Sequence, residues 1–594
     1  MINFLNWLDG VLWGIPLIVL MLATGIYFTV RSGFFQFTHF GWIMKNTVGQ
    51  IFHGTADKNE SGKGMLHPFE TIATAIGGTV GFGNIAGVAT AVAAGGPGAV
   101  FWMWLTAALG MILKQVEVTL GCYYRHTKED GSTTFGGPTY YMEYGLGKER
   151  HWGKLWLIPA IIFGIGIFST FFVTSSTLTA SQVVAGAFHL GSIHIGSLEV
   201  EGIILVGIGL TVIDYIITSG GVKGVAQIFS KLVPVMSIIY ILMGIVMIVV
   251  NINRVPTAFV SIFHDAFTGT AAMGGFAGVA VSEIVRVGMA RAVYSNEAGW
   301  GTSPMIHSSA RTNHPVSQGL WGSFEVFFDT FIICTITALS VILSGMWTDG
   351  TNGGTLALEA FQQGFGQVGA WLLAIIMIVF TATTSGGWFT YYIAILNHLY
   401  KNREGIFGKV IMKLFYLTRA LPGLLWTIYL VKTNNQGFVW TVVDITSAIP
   451  TFVNVAVILL LSGDYLKLLK DYKARYLGIG KVNPKTKLFY EEDAAVKADD
   501  RSKKGSINHE NHLFQRQCLH RRRGARLGLC GGKWQVRLCR LRCRSKGAGS
   551  GGRHPDRSGR KIRLRRFQRQ PHASAQLRRF AGRCQAGRAH RQSD

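Results

Sequence analysis

Charge is what this sequence has least of. Only 15% of its 594 residues are Asp, Glu, Lys or Arg, while 49% are hydrophobic and the mean hydropathy is +0.31. A soluble globular domain carries about 25% charged residues, so that class is excluded. Cysteine is nearly absent from the body of the chain: of seven, only Cys122 and Cys334 precede the last 94 residues, too isolated for a disulfide framework or a metal site. Acidic residues are few as well, and the net charge of +26 looks like a nucleic-acid signature. That charge is unevenly placed, because residues 501–594 hold 27 Lys and Arg against 3 acids, which leaves about +2 for everything before them. No nucleic-acid partner is therefore expected for the body of the protein. Catalytic constellations are missing too. No His-x-x-x-His pattern and no carboxylate pair lies in an apolar run facing the glycine cluster described below, so the chain is not expected to be an enzyme or to need a cofactor. The first apolar run lacks a basic leader and a small-residue cleavage site, which marks it as a retained helix.

What is present in quantity is long apolar runs. Segments of about 20 or more mostly apolar residues fall at 11–30, 68–94, 98–121, 156–184, 202–219, 225–250, 258–294, 319–345, 368–397, 408–431 and 438–462. The expectation is an all-α polytopic membrane protein with about 11 transmembrane helices. Lys and Arg concentrate in the loops 31–67, 122–155, 220–224, 295–318 and 398–407 and after 463, whereas the opposite loops hold only Arg254 and Lys432. The positive-inside rule then puts the N-terminus outside the cell membrane and the C-terminus in the cytoplasm. From the second run onward the helices divide into two fives, 68–250 and 251–462, and an odd number per half forces opposite orientations, hence two inverted repeats. Residues 1–67 form an extra N-terminal helix and its cytoplasmic loop, 463–500 a cytoplasmic segment, and 346–366 a polar outer connector. Residues 501–594 turn abruptly Arg-rich without periodicity, as in Arg521-Arg522-Arg523, and are expected to be disordered. The sudden switch from Lys to Arg use points to an out-of-frame reading of DNA.

The chain is organised around Gly77-Gly78-Thr79-Val80-Gly81-Phe82-Gly83-Asn84. Glycine costs a helix interior about 1 kcal/mol relative to alanine, so four within seven positions predict a broken helix. In hydrocarbon an open backbone is tolerated only where it is buried in protein or lines a cavity. A second cluster, Gly274-Gly275-Phe276-Ala277-Gly278, stands in another apolar run about 200 residues later, and interrupted helices in both halves mark a secondary-transporter site. The backbone N–H groups of Phe82 and Gly83 can meet a carboxylate; Thr79 and Gly81 flank them, and Gly274 and Gly275 facing them would limit the ligand's size. Arg291 and Glu297 flank the expected cytoplasmic end of the seventh helix, and Glu325 and Asp329 share a face of the eighth. Unpaired charge at that depth costs up to about 3 kcal/mol, so the expected inner gate pairs Arg291 with Asp329 or Glu325.

Three stretches together resemble the alanine-or-glycine:cation symporter family: Gly78-Thr79-Val80-Gly81-Phe82-Gly83-Asn84-Ile85-Ala86-Gly87-Val88-Ala89-Thr90, the cluster from Gly274, and Ser295-Asn296-Glu297-Ala298-Gly299-Trp300-Gly301-Thr302-Ser303-Pro304. The likeness covers about residues 1–490. It implies a LeuT-type fold of two inverted five-helix repeats, importing a small neutral amino acid with sodium or, less often, protons. No protein partner is implied, and no metal beyond the sodium taken as co-substrate. Phe82 stands where the family offers threonine, and the fourth helix has hydroxyls where the family offers a glutamine, the nearest being Gln182. Thr174 and Ser175 are therefore the expected polar contacts to substrate. For sodium, the resemblance puts Thr383 and Thr384, in Phe380-Thr381-Ala382-Thr383-Thr384-Ser385-Gly386-Gly387-Trp388, opposite the freed carbonyls of Gly77 and Val80, with the Phe380 carbonyl and Asn84 completing the set.

Overall fold

The computed structural model describes residues 2–53, 65–127, 133–172, 175–195, 198–269, 279–351, 353–400, 406–433 and 436–490. Thr174, Gly274, Gly275 and the basic tail lie outside the described residues. Apart from two short antiparallel hairpins, His126–Thr127 with Thr134–Phe135 and Ile193–Ile195 with Leu198–Val200, the described chain is helical. In chain order the main helices are α1 (Ile2–Ser32), α2 (Pro68–Thr79), α3 (Gly83–Gly95), α4 (Gly98–Tyr123), α5 (Leu157–Phe172) and α6 (Ser176–Ala187). There follow α7 (Gly202–Thr218), α8 (Gly221–Val250), α9 (Val255–Thr268), α10 (Val281–Asn296), α11 (Ser303–His307) and α12 (Pro315–Ser344). The last are α13 (Gly353–Tyr400), α14 (Ile406–Thr418), α15 (Leu421–Thr433), α16 (Gln436–Leu460) and α17 (Ser462–Tyr476).

Seven helical stretches among the described residues are long and apolar enough to cross a bilayer, and α2 with α3 and α14 with α15 reach that length and hydropathy only as pairs, bent by 42° and 45°. Their outer faces are what water would not tolerate. On α8, Val235, Ile238, Leu242, Ile245 and Val249 are exposed at helical spacing, while Phe229, Val233, Met236, Tyr240 and Met247 on the other face are buried. A stripe of that kind requires lipid as its solvent. The protein is thus a polytopic, all-α membrane protein.

Between helices the driving force is close packing, and glycine permits it. A Cβ on Gly319 or Gly322 of α12 would lie 2.9 Å from the carbonyl oxygen of Gln115 or Lys114, so α12 crosses α4 backbone against backbone. In the same way a Cβ on Gly387 of α13 would lie 2.5 Å from the Cα of Gly78, which seats α13 directly beneath the end of α2. Helix α2 is well started: Pro68 occupies its first turn, the His67 ring accepts from Phe69 N–H, and the Glu70 carboxylate accepts from His67 N–H at 3.3 Å.

Two sequence expectations change here. The run 258–294 is divided into α9 and α10 about the expected interruption at Gly274-Gly275, which lies outside the described residues, and α10 ends in a break after Asn296, inside what reads as the loop 295–318. Secondly, the expected solvated connector 346–366 is largely the start of α13, whose Leu356, Ala357 and Phe361 are fully buried; Gly366 at φ 62° marks the bend to the long remainder.

At the start of α12 a buried His314 caps the helix, its Nδ1 accepting from Val316 N–H at 3.1 Å while Nε2 faces the Asp471 carboxylate at 3.4 Å. Burial lowers its pKa from 6.5 to about 4; Asp471 opposes the shift and Arg475 adds to it. The unfolded chain therefore binds a proton more readily than the folded one between those values, and this contribution to stability is complete above pH 6.5 and lost as pH falls toward 4. The melting temperature of detergent-solubilised protein is expected to drop across that window, and His314→Gln to flatten the drop; an equal slope in both proteins would remove this histidine as the cause.

Candidate functional site

The first break comes where α2 stops at Thr79. Gly81 N–H does not continue the helix to Gly77 but donates to Asn84 Oδ1 at 2.8 Å, and Asn84 N–H donates to Gly81 O at 3.1 Å rather than to Val80 O. The carbonyls of Gly77 and Val80 thereby lose their usual helical donors. Gly77 and Gly78 themselves are helical; their lack of a side chain serves the packing of Phe229 and Gly387 against α2. Only Gly81 and Gly83 belong to the break. Helix α3 restarts at Gly83 with a turn of wide π geometry, over Gly83–Gly87, and its first N–H groups and positive dipole end face the interior.

The second break follows α10. Glu297 (φ 55°), Gly299 (φ 88°) and Gly301 (φ 83°) adopt left-handed conformations in succession, and Asn296 Oδ1 accepts from Ala298 N–H at 2.9 Å, as Asn84 does in the first break. Positive φ at a glutamate is costly and persists only where the surroundings hold it. Here they do: the Glu297 carboxylate, 2% exposed, accepts from the Thr302 hydroxyl at 2.5 Å and the Tyr391 hydroxyl at 3.1 Å.

Between the breaks lies a cavity of about 80 Å³, walled by Thr79, Phe82, Gly83, Tyr294, Glu297 and Trp300, and closed by Thr384, Trp388 and Tyr392 of α13. A chain of aromatic contacts frames it, with Phe82 edge-on to Tyr294 (5.9 Å between centroids), Tyr294 against Trp300 (5.8 Å) and Trp300 edge-on to Trp388 (5.0 Å). The cavity's polar equipment is a helix N-terminus suited to a carboxylate and, opposite, a carboxyl group and break carbonyls suited to an ammonium. Asp214 of α7 and Arg419, at the bend between α14 and α15, line the far side.

Thr384 is brought against the first break. A Cβ on Gly81 would fall 1.9 Å from Thr384 Oγ1 and 3.5 Å from the Phe380 carbonyl oxygen. The Thr384 hydroxyl is buried and has no hydrogen-bond partner among the described residues, a state that a bound cation would relieve. Thr383 differs, since its hydroxyl donates back to the Phe380 carbonyl at 3.0 Å. Asn84 spends its oxygen on Gly81 N–H and its amide on Asp329 at 2.5 Å. Ser175 stands behind the cavity wall, its hydroxyl 3.1 Å from that of Tyr294, while Ser176 and Thr177 reach the wall themselves.

The expected gate is corrected. Arg291 pairs with neither Asp329 nor Glu325: its guanidinium makes two parallel bonds to Asp444 of α16, at 2.6 and 2.8 Å, and lies over the Trp440 ring. The reason is which side of α10 each residue occupies: Ser295 and Asn296 at its end bond Asp329 and Thr330, whereas Arg291 stands on the side packed against α1 and α16, where Arg286 also pairs with Asp9. Glu297 lines the wall of the cavity. Glu325 is bound to Lys114, and Asp329 accepts from Asn84, Ser295 and Thr330. Tyr294, Trp300 and Lys114 are the important side chains that sequence reading missed. The signal for the first two was present in Glu297-Ala298-Gly299-Trp300-Gly301, where two glycines within three positions sit beside an acid.

The sequence profile of the sodium:alanine symporter family matches residues 1–485. Among curated relatives, the uncharacterised transporter YflA of Bacillus subtilis (strain 168) is 34% identical over 470 residues, covering 77% of this chain and 92% of its own. The sodium/alanine symporter AgcS of Methanococcus maripaludis is 32% identical over 467 residues, 78% and 95% of the two chains. The probable sodium/glutamine symporter GlnT of Bacillus subtilis (strain 168) is 32% identical over 465 residues, 78% and 89%. Of solved structures, MhsT in complex with L-phenylalanine aligns with a TM-score of 0.46 at 12% identity over 68% of this chain and 90% of that one, a likeness too slight to argue from.

Proposed function

Since the chain belongs to the sodium:alanine symporter family, we propose that it imports a small neutral amino acid, alanine, glycine or one of similar size, together with sodium across the cell membrane. The observation that carries this reading is the pairing of a cavity of about 80 Å³ between two helix breaks with the unpartnered Thr384 hydroxyl at the edge of the first. A small amino acid such as alanine suits the space bounded by the rings of Phe82, Tyr294 and Trp300. Its carboxylate meets the N–H groups of Phe82 and Gly83, and its ammonium the Glu297 side of the cavity. Thr384, with the Gly77 and Val80 carbonyls, takes the sodium ion. Trp300, Phe82 and Tyr294 limit the ligand's size, beside the limit expected of Gly274 and Gly275, which lie outside the described residues. The two inverted repeats, 68–250 and 251–462, with the N-terminus outside and the C-terminus in the cytoplasm, belong to the same proposal, supported by the two breaks and by the distribution of Lys and Arg.

The test is uptake of labelled alanine by the full chain in proteoliposomes, with unlabelled amino acids as competitors. One sodium entering down 100 mV contributes about 2.3 kcal/mol, enough for about fifty-fold accumulation at 1.4 kcal/mol per tenfold. Accumulation that requires a sodium gradient and is competed by glycine and serine but not by phenylalanine is the expected result. Uptake indifferent to sodium and driven by a pH gradient would replace the ion; competition by bulky amino acids would overturn the size limit.

A further inference from the structure

Two half-helices end at this site, α2 at Thr79 and α10 at Asn296, and each points the carbonyl end of its last turn inward. Such an end carries about half a negative charge, and in a membrane protein it attracts a cation. The protein treats the two ends differently. Beside the first, Thr384 offers a buried hydroxyl that no group among the described residues hydrogen-bonds. Beside the second stands Lys114, from the middle of α4, fully buried, its Nζ 2.6 Å from Asn296 O and 2.8 Å from Glu325 Oε1. Glu325 in turn accepts from the Thr79 hydroxyl, from the Ser303 hydroxyl at 3.3 Å and from His307 Nε2 at 3.2 Å. A main-chain carbonyl at a helix end and a carboxylate oxygen, itself held by the Thr79 and Ser303 hydroxyls, are oxygens of the kind a sodium ion takes, and here an ammonium group is bound to them.

We propose that Lys114 is a built-in cation filling the second of two cation positions, so that transport is coupled to one sodium ion and not to two. The inference rests on the sodium-coupled reading above. A tethered ammonium never leaves, so this position neutralises Glu325 and the α10 terminus throughout the cycle without drawing on the ion gradient. It also binds the two breaks into one unit, because Glu325 holds Thr79 at the end of α2 while Lys114 holds Asn296 at the end of α10. The exchangeable ion is left to the Thr384 position alone.

The experiment measures sodium moved per alanine from the reversal potential in proteoliposomes, together with the sodium dependence of uptake. Wild type is expected to move one sodium with a Hill coefficient near 1. In Lys114→Ala the vacated donors take a second sodium, raising the Hill coefficient toward 2 and the coupling to two, and K114A/E325Q, without the carboxylate, returns to first-order dependence. Thermal stability in detergent gives a readout without transport: K114A gains a sodium-dependent rise in Tm that wild type lacks beyond its single-site response, and E325Q abolishes that gain. A wild-type coupling of two sodium ions, or a folded K114A with unchanged first-order dependence and no added stabilisation, overturns the proposal. If K114A does not fold, the wild-type coupling still decides. Absence of any sodium dependence in wild type would instead sink the functional reading on which this one stands.

Discussion

Gly83→Leu is expected to reduce alanine uptake at least a hundredfold in kcat/KM, while Gly83→Ala remains measurably active and both variants reach the membrane at wild-type levels. A Cβ placed on Gly83 has its nearest neighbours at 3.6 and 3.7 Å, carbon atoms of the Tyr294 ring, which is ordinary contact, so a methyl group is accommodated. Leucine adds three carbons beyond it in a cavity of about 80 Å³. Those atoms project where the ligand carboxylate would meet the N-terminus of α3 and compete with it for that position. A hundredfold loss corresponds to about 2.7 kcal/mol at 1.4 kcal/mol per tenfold. Uptake kinetics normalised to surface expression would check this, and wild-type kinetics in Gly83→Leu would remove the cavity as the substrate site.

The second large effect is on the ion. Thr384→Ala is expected to raise the sodium concentration for half-maximal uptake about tenfold to a hundredfold, and Thr383→Ala to change it by less than about threefold. The two hydroxyls are adjacent in sequence but unequal in structure: Thr383 donates to the Phe380 carbonyl one turn back, whereas Thr384 is buried against Gly81 with no partner. A polar contact to a charge contributes about 1.5–3 kcal/mol, which at 1.4 kcal/mol per tenfold covers the range given. Removing an unpartnered buried hydroxyl leaves no other group unsatisfied, so Thr384→Ala should melt at or above the wild-type temperature in the absence of sodium. That separates an ion-site defect from misfolding. An unchanged sodium dependence in Thr384→Ala would place the ion elsewhere.

What the sequence alone determined is the medium and the first half of the site. Scarce charge and long apolar runs dictate a membrane protein, because only internally hydrogen-bonded helices can present such runs to lipid. The clustered glycines at 77–83 announce a broken helix because their cost in an intact one is local and needs no knowledge of neighbours. The tertiary structure alone decided what the break faces. Glycine also serves close packing, so Gly77 and Gly78 read the same in sequence as Gly81, yet they abut Phe229, Gly387 and Tyr391 instead of opening the helix. Asn296 to Thr302 reads as the polar end of a loop until α10 carries it into the core, where Tyr391 and Thr302 hold Glu297 at the cavity. Charge pairing was the least legible feature. Arg291 binds Asp444, 153 residues away in sequence, and Lys114 binds Glu325, 211 away, rather than any partner suggested by spacing. A buried charge must find its counter-charge in three dimensions, and helix periodicity reports only the neighbours one turn along.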